Sequence, residues 1–362
     1  MTQYDNKIIL AAAGSGKTTR AARIAASDRT LRTLVISYTQ NSKREIEERL
    51  FLEHGCIPSR VKVRTWYSFL LSHFIRPYQN YLYERRINSI NFNRIPDTLQ
   101  RVNKSLIKRY YISGNDRIWS DRASDFACAL INKTSGLPVQ RAESIFERII
   151  IDEAQDLAGW DLELINHLLL SKIQIILIGD HRQAIYTTND NRKHSNYRGE
   201  KIINIFNEWH KKRLLQLEKQ SISFRCIQEI CDVADRFFPD DERTVSKNCT
   251  KSDHDGVFLV RNRDVNRYYQ KYRPQTLHWS KTKEYRVGNP INFGDSKGMT
   301  FHRVLIYPHE KLLNFIETGN MNLEGATKTK SYVAFTRARQ SVAIVVPNDF
   351  NPSIGMFFEF EE

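Results

Sequence analysis

Residues 11–19 read AAAGSGKTT, directly after the apolar run Ile8-Ile9-Leu10. Gly14 and Gly16 allow a tight turn and close approach of the backbone to a ligand. Lys17 supplies a cation for terminal phosphates, and Thr18 a hydroxyl for Mg²⁺. Ala13, Gly14, Ser15, Gly16, Lys17, Thr18 and Thr19 therefore read as a nucleotide-phosphate cradle. The general pattern has glycine where Ala11 stands, and by itself it would describe kinases, transporters and motors alike. A second chemical signal is IIIDEAQD at 149–156. A hydrophobic strand that ends in Asp-Glu places Asp152 to hold Mg²⁺ and Glu153 to orient an attacking water. Cradle and acid pair together describe a nucleoside-triphosphate hydrolase.

These residues need elements to hold them. Apolar β-branched runs at 7–10, 33–37, 61–63, 148–153, 173–180, 256–260, 303–308 and 341–347 read as buried parallel strands. Helical stretches such as NSKREIEERL and GWDLELINHLLLS lie between several of them. The alternation predicts an α/β fold with ligand sites at the carboxyl ends of parallel strands. Residues 70–145 break the rhythm and read as a small inserted, mainly helical subdomain. The expected organisation is a first lobe from 1–69 and 146–210, the 70–145 insert, and a second lobe from 211–362.

Composition narrows the partners. The chain has 362 residues, a hydrophobic fraction of 41% and a formal net charge of +14. No apolar run reaches the ~20 residues of a membrane span. The five cysteines form no CxxC pair, against a zinc site or disulfide framework, and the protein is expected to be cytoplasmic. Between Arg60 and Arg148 stand 16 basic and 7 acidic side chains, interleaved with Trp66, Tyr67, Tyr78, Tyr81, Tyr83, Tyr110, Tyr111 and Trp119. Arginine mixed with aromatics suits a polyanion whose bases can stack, so nucleic acid is the expected partner.

An ordered series of motifs makes the chain resemble the UvrD, Rep and PcrA helicases of superfamily 1A. That family has Ala at the position of Ala11. Its motif Ia is matched by SYTQNSKREI (37–46), motif Ib by RTWYSF (64–69), motif II by DEAQD, and motif III by GDHRQAIY (179–186). SISFRC (221–226), NFGDSKGMTF (292–301) and YVAFTRAR (332–339) match motifs IV, V and VI. The resemblance implies two RecA-like P-loop lobes that use ATP and Mg²⁺. Lys17 would bind the β- and γ-phosphates, Thr18 and Asp152 would hold Mg²⁺, and Glu153 would activate water. Gln183 would link the γ-phosphate to the DNA groove, and Arg225 and Arg337 would reach that phosphate from the second lobe. Phe224 would lie against the adenine, with Gly298 also at the nucleotide. Tyr38, Thr39, Thr65, Trp66 and Tyr67 would meet single-stranded DNA.

The chain departs from that family where its adenine-reading glutamine lies, leaving only Gln3 as a substitute. It lacks the Trp-Arg-Gly continuation of motif III, and has Thr300 where motif V carries glutamate. The stretch between Arg225 and Ile291 is too short for the family's large second-lobe insertion. This trimmed outline also resembles the UvrD-like subunit of the Gabija anti-phage system. Two readings follow: a translocase or helicase on single-stranded or partly duplex DNA, moving 3′ to 5′; or a DNA-end or nucleotide-sensing ATPase that regulates a partner nuclease. A small-molecule kinase would have no use for motifs Ia, Ib, V and VI. A partner protein or a second copy is expected to supply a duplex grip, and no membrane is involved.

Overall fold

The computed structural model describes residues 6–189, 191–279, 287–320, 323–352 and 357–360, so Gln3 lies outside the described residues. Two compact units emerge. One comprises Met1–Leu10, Lys17–Gly179 and Tyr186–Glu218; the other comprises Ala11–Gly16, Asp180–Ile185 and Lys219–Glu362.

The sheet of the first unit has the order Val61–Thr65, Thr33–Ser37, Arg148–Ile151, Gln174–Gly179, Lys7–Ala11, Gln216–Gln220. The first five are parallel neighbours. Continuous Ile, Leu and Val runs suit strands covered on both faces, and Thr33–Ser37 is buried at every position. Shared direction places the ends at Thr65, Ser37, Ile151, Gly179 and Ala11 along one edge. The chemically marked loops all leave from that edge. Helix Gln40–His54 starts on Thr39, whose side chain accepts from the Ser42 amide, and stops at Gly55 in the left-handed region at φ 72°.

The 70–145 stretch is mainly helical. Beside helices such as Ser120–Lys133 and Leu137–Ile145 it folds a three-stranded sheet of Ser89–Asn91, Arg117–Trp119 and Ile112–Ser113. It also shares its core with the main sheet. Phe74, Tyr111 and Phe126 belong to the same buried cluster as Ile149, Ile151 and Leu177. Half of the aromatics that looked interleaved with arginine, namely Trp66, Tyr83, Tyr111 and Trp119, are consequently buried. Packing places these four in the core, while Arg122, itself buried, lies over the Tyr110 ring at 3.8 Å and Tyr81 stays exposed.

The second unit has an all-parallel sheet in the order Ile291–Asn292, Gln275–His278, Phe301–Tyr307, Ala338–Val346, Gly256–Arg261, Phe358–Glu359. Phe237, Phe315, Tyr332 and Phe335 pack one face. Val260, Val265, Tyr268 and Leu305 pack within a separate cluster. The short strands Gln275–His278 and Ile291–Asn292 carry too little apolar pattern to be read from the sequence.

Candidate nucleotide-hydrolysis site

The phosphate loop joins strand Lys7–Ala11 to helix Lys17–Ser27. Gly14 and Gly16 have φ of 74° and 77°, the left-handed region that disfavours a Cβ. At Gly14 space forbids one as well, since a Cβ would lie 2.4 Å from the Arg225 Cβ and 2.8 Å from Ser223 Oγ. The Gly14 carbonyl accepts the Phe224 N–H at 2.9 Å. Ser15 Oγ is buried and has no hydrogen-bond partner in the protein. An orphaned hydroxyl beside a helix N-terminus suits an anionic oxygen, because the first-turn amides point the same way.

Strand Arg148–Ile151 delivers Asp152 and Glu153. Asp152 is 1% exposed, and its Oδ2 accepts from Thr18 Oγ1 at 3.2 Å. Its Oδ1 accepts the Glu153 N–H at 3.0 Å. Burial, with the Glu153 charge adding to it, pushes this carboxyl up to about 7. A hydroxyl and a carboxylate held together are the hard oxygen donors that Mg²⁺ takes, with water and phosphate completing its shell. Among the described residues no group of three or more His, Cys, Asp or Glu side chains could hold a metal ion.

Glu153 sits at φ 55°, ψ 39°, a left-handed conformation costing a non-glycine residue roughly 1–2 kcal/mol. Its carboxylate is held by the Gln155 side-chain amide. Gln155 in turn packs on Gly179, where a Cβ would come within 2.5 Å of Gln155 Oε1. The strained acid is thus braced by the end of the neighbouring strand.

The second unit holds a polar network. Gln183 accepts from Arg337 Nη2 at 3.1 Å and donates through Nε2 to Asp180 Oδ2 at 2.7 Å. Arg337 is 1% exposed and also donates to the Val333 and Met299 carbonyls at 3.0 and 3.2 Å. Arg182 donates to Asp180 at 3.0 Å and Asp235 at 3.2 Å. Its guanidinium stands 4.9 Å from the Tyr332 ring centroid. Burial opposes the Arg182 charge, but Asp180 and its neighbours outweigh it and hold the pKa above the ordinary value. Arg225 donates to the Thr336 carbonyl at 3.0 Å. Phe224 is 54% exposed. Gly298 is exposed at φ 85° with open space around it.

The expected nucleic-acid residues fare differently. Trp66 is a correction: it is fully buried, and its Nε1 donates to Asp161 Oδ1 at 3.0 Å. An indole enclosed this way presents no face to a base. Tyr38 is half-buried, its ring 6.0 Å from that of Trp66. Thr39 and Thr65 cap helices, accepting from the Ser42 and Ser68 amides. Tyr67 remains partly open and meets Phe92 edge-on at 5.1 Å. Phe92, 68% exposed, was missed in the sequence because an isolated NFN gives no motif. Asp161 was missed too. It is 2% exposed and accepts from Trp66, Ser124, Thr188 and Asn189.

With this geometry in place, the family model described as "AAA domain" matches residues 1–189, more than half the chain. The chain belongs to this family. The AAA-domain match takes in the phosphate loop, the Asp152–Glu153 pair and Gln183, and ends before the sheet of the second unit. No curated protein matches. Among solved structures, an Arterivirus nonstructural protein 10 helicase in complex with DNA is similar at 14% identity and TM-score 0.50, covering 95% of this chain and 61% of that one. The same helicase in a second structure gives 15% identity and TM-score 0.50, covering 95% and 60%. A PRRSV helicase gives 16%, TM-score 0.46, and coverage of 95% and 53%. This AAA-domain chain therefore spans about three fifths or less of these helicases, and what it shares with the Arterivirus helicase is the fold.

Proposed function

We propose that this chain is a DNA-stimulated ATP hydrolase that moves along single-stranded DNA, 3′ to 5′ as in the UvrD-like helicases it resembles. The observation that carries the reading is the 3.2 Å hydrogen bond between Thr18 and Asp152, which joins the phosphate loop's helix to the acidic strand end. Lys17 neutralises the terminal phosphates. Thr18 and Asp152 would hold Mg²⁺, which would supply charge to offset that on the phosphate oxygens. Glu153, fixed by Gln155, takes the proton of the attacking water. Gln183 orients Arg337, and Arg337 with Arg225 supplies positive charge where the transition state spreads negative charge. Phe224 receives the base of the nucleotide. Likeness in fold to a helicase studied with DNA supports a nucleic-acid partner, and the open Tyr67–Phe92 pair is the surface assigned to base stacking.

ATPase rate should rise on adding single-stranded oligonucleotide, and ATP should drive streptavidin off one labelled end of such a strand. Stimulation without displacement from either end would replace the motor by a DNA-sensing ATPase, and hydrolysis indifferent to DNA would remove both.

A further inference from the structure

A second pocket lies in the first unit, on the face of the sheet's edge strand Val61–Thr65. It encloses about 350 Å³ and is lined by Arg32, Arg60, Lys62, Arg64 and His73 around an apolar floor formed by half-buried Ile145, with Leu34 and Phe146 enclosed beneath it. No carboxylate lines it. Strand alternation sends Val61, Val63 and Thr65 into the core and leaves Lys62 and Arg64 exposed, about 6.6 Å apart along the strand. Register aligns Leu34 with Lys62, so an apolar side chain adjoins the cations.

The cations fall into two classes. Arg32 is bound to Glu147 and the Ser144 carbonyl, and Arg60 to the Asp28 and Ala26 carbonyls; these two build the wall. Lys62 and Arg64 make no ion pair among the described residues. Behind them, His73 Nδ1 and Arg141 Nε are buried polar atoms without a hydrogen-bond partner. His73 stands edge-on to Phe146 at 5.1 Å. Burial, with Arg141 and Arg64 adding to it, holds His73 down to about 4, so its ring is neutral near pH 7.

We infer that this pocket binds a phosphate monoester with a flat, base-sized body, the phosphate on Lys62 and Arg64 and the body against the half-buried His73 and Ile145. The volume is that of a small-ligand site, and an apolar floor beneath unpaired cations matches an anion with an apolar end. Two sources carry this chemistry: a free nucleoside monophosphate, and the 5′-phosphorylated terminal nucleotide of a strand. The inference is independent of the hydrolysis site.

The test uses calorimetric titration of the full chain carrying Lys17→Ala, which weakens competing nucleotide binding at the phosphate loop. Probes are 5′-AMP against adenosine, and 5′-phosphorylated against unphosphorylated oligothymidylate of four residues. Phosphate-dependent binding is expected, reduced at least tenfold by adding Lys62→Ala and Arg64→Ala, exposed substitutions that leave the melting temperature unchanged. AMP binding as tightly as the phosphorylated strand identifies a free nucleotide; preference for the phosphorylated strand identifies an end. Binding that ignores the phosphate, that survives the double substitution, or that is missing for both probes overturns the inference.

Discussion

At the scale of single residues, the informative side chain is Glu153. Its left-handed backbone and its carboxylate pinned by Gln155 form a strained arrangement of the kind retained for function. Glu153→Gln should bind ATP normally while turnover falls by ~10² to 10⁴, the usual worth of a positioned base; nucleotide binding and single-turnover hydrolysis check this. Glu153→Gly should be equally inactive yet unfold at a higher temperature, because glycine relieves about 1 kcal/mol of left-handed strain. A lower melting temperature in the glycine variant would show that the Gln155 contact outweighs the strain. Arg337 tests the other charge. Arg337→Lys keeps the charge but loses the fork that reaches Gln183, Val333 and Met299 together. Its kcat should fall by ~10³ or more with KM little changed, and an unchanged kcat would remove Arg337 from the reaction.

At the scale of elements, the short helix Trp66–Phe69 shows how one motif divides between core and surface. Trp66 points inward onto Asp161, so Trp66→Ala should cost ~3 to 5 kcal/mol of stability. A denaturant midpoint reads this directly. Its effect on DNA should be no larger than its loss of folded protein. Phe92→Ala removes an exposed ring and should leave stability unchanged while weakening single-strand binding by ~1 to 3 kcal/mol, measured by fluorescence anisotropy. In the second unit, His254 is stacked between Phe258 and Tyr272 at centroid distances of 3.8 and 3.7 Å. Its Nε2 shares a hydrogen bond with the Tyr268 hydroxyl at 2.8 Å. Burial, with Arg303 adding, lowers its pKa from 6.5 to about 4. The unfolded chain therefore binds this proton first, and the stability contributed by neutral His254 is present above pH 6.5 and lost as pH falls towards 4. The melting temperature of His254→Phe should decline less than that of the wild type between pH 7 and pH 5.

At the scale of the whole molecule, a formal charge of +14 makes phosphate contact the dominant contribution to nucleic-acid affinity. Binding to single-stranded DNA should weaken steeply between 50 and 200 mM salt, with a slope set by the phosphates neutralised, roughly 0.7 per phosphate for single strands. Anisotropy titrations at several salt concentrations measure the slope, and a flat response would place binding in stacking alone. Among the described residues no helix is long and apolar enough to cross a membrane.

The sequence by itself determined most of the frame and marked the loops proposed to carry the chemistry. The phosphate loop, the Asp152–Glu153 pair and eight strands were legible because each depends on local rules: glycine at positive φ, β-branched runs for buried parallel strands, acids at a strand end. What tertiary structure alone decided is which side of the surface each remaining residue occupies. Trp66 and Tyr67 are adjacent in the chain, yet one is enclosed around Asp161 and the other stays partly open beside Phe92. Lys62 and Arg64 become part of a pocket only because Ser144, Ile145 and Phe146 come to lie near them. Burial and pairing depend on residues far away along the chain, and no local pattern encodes those distances.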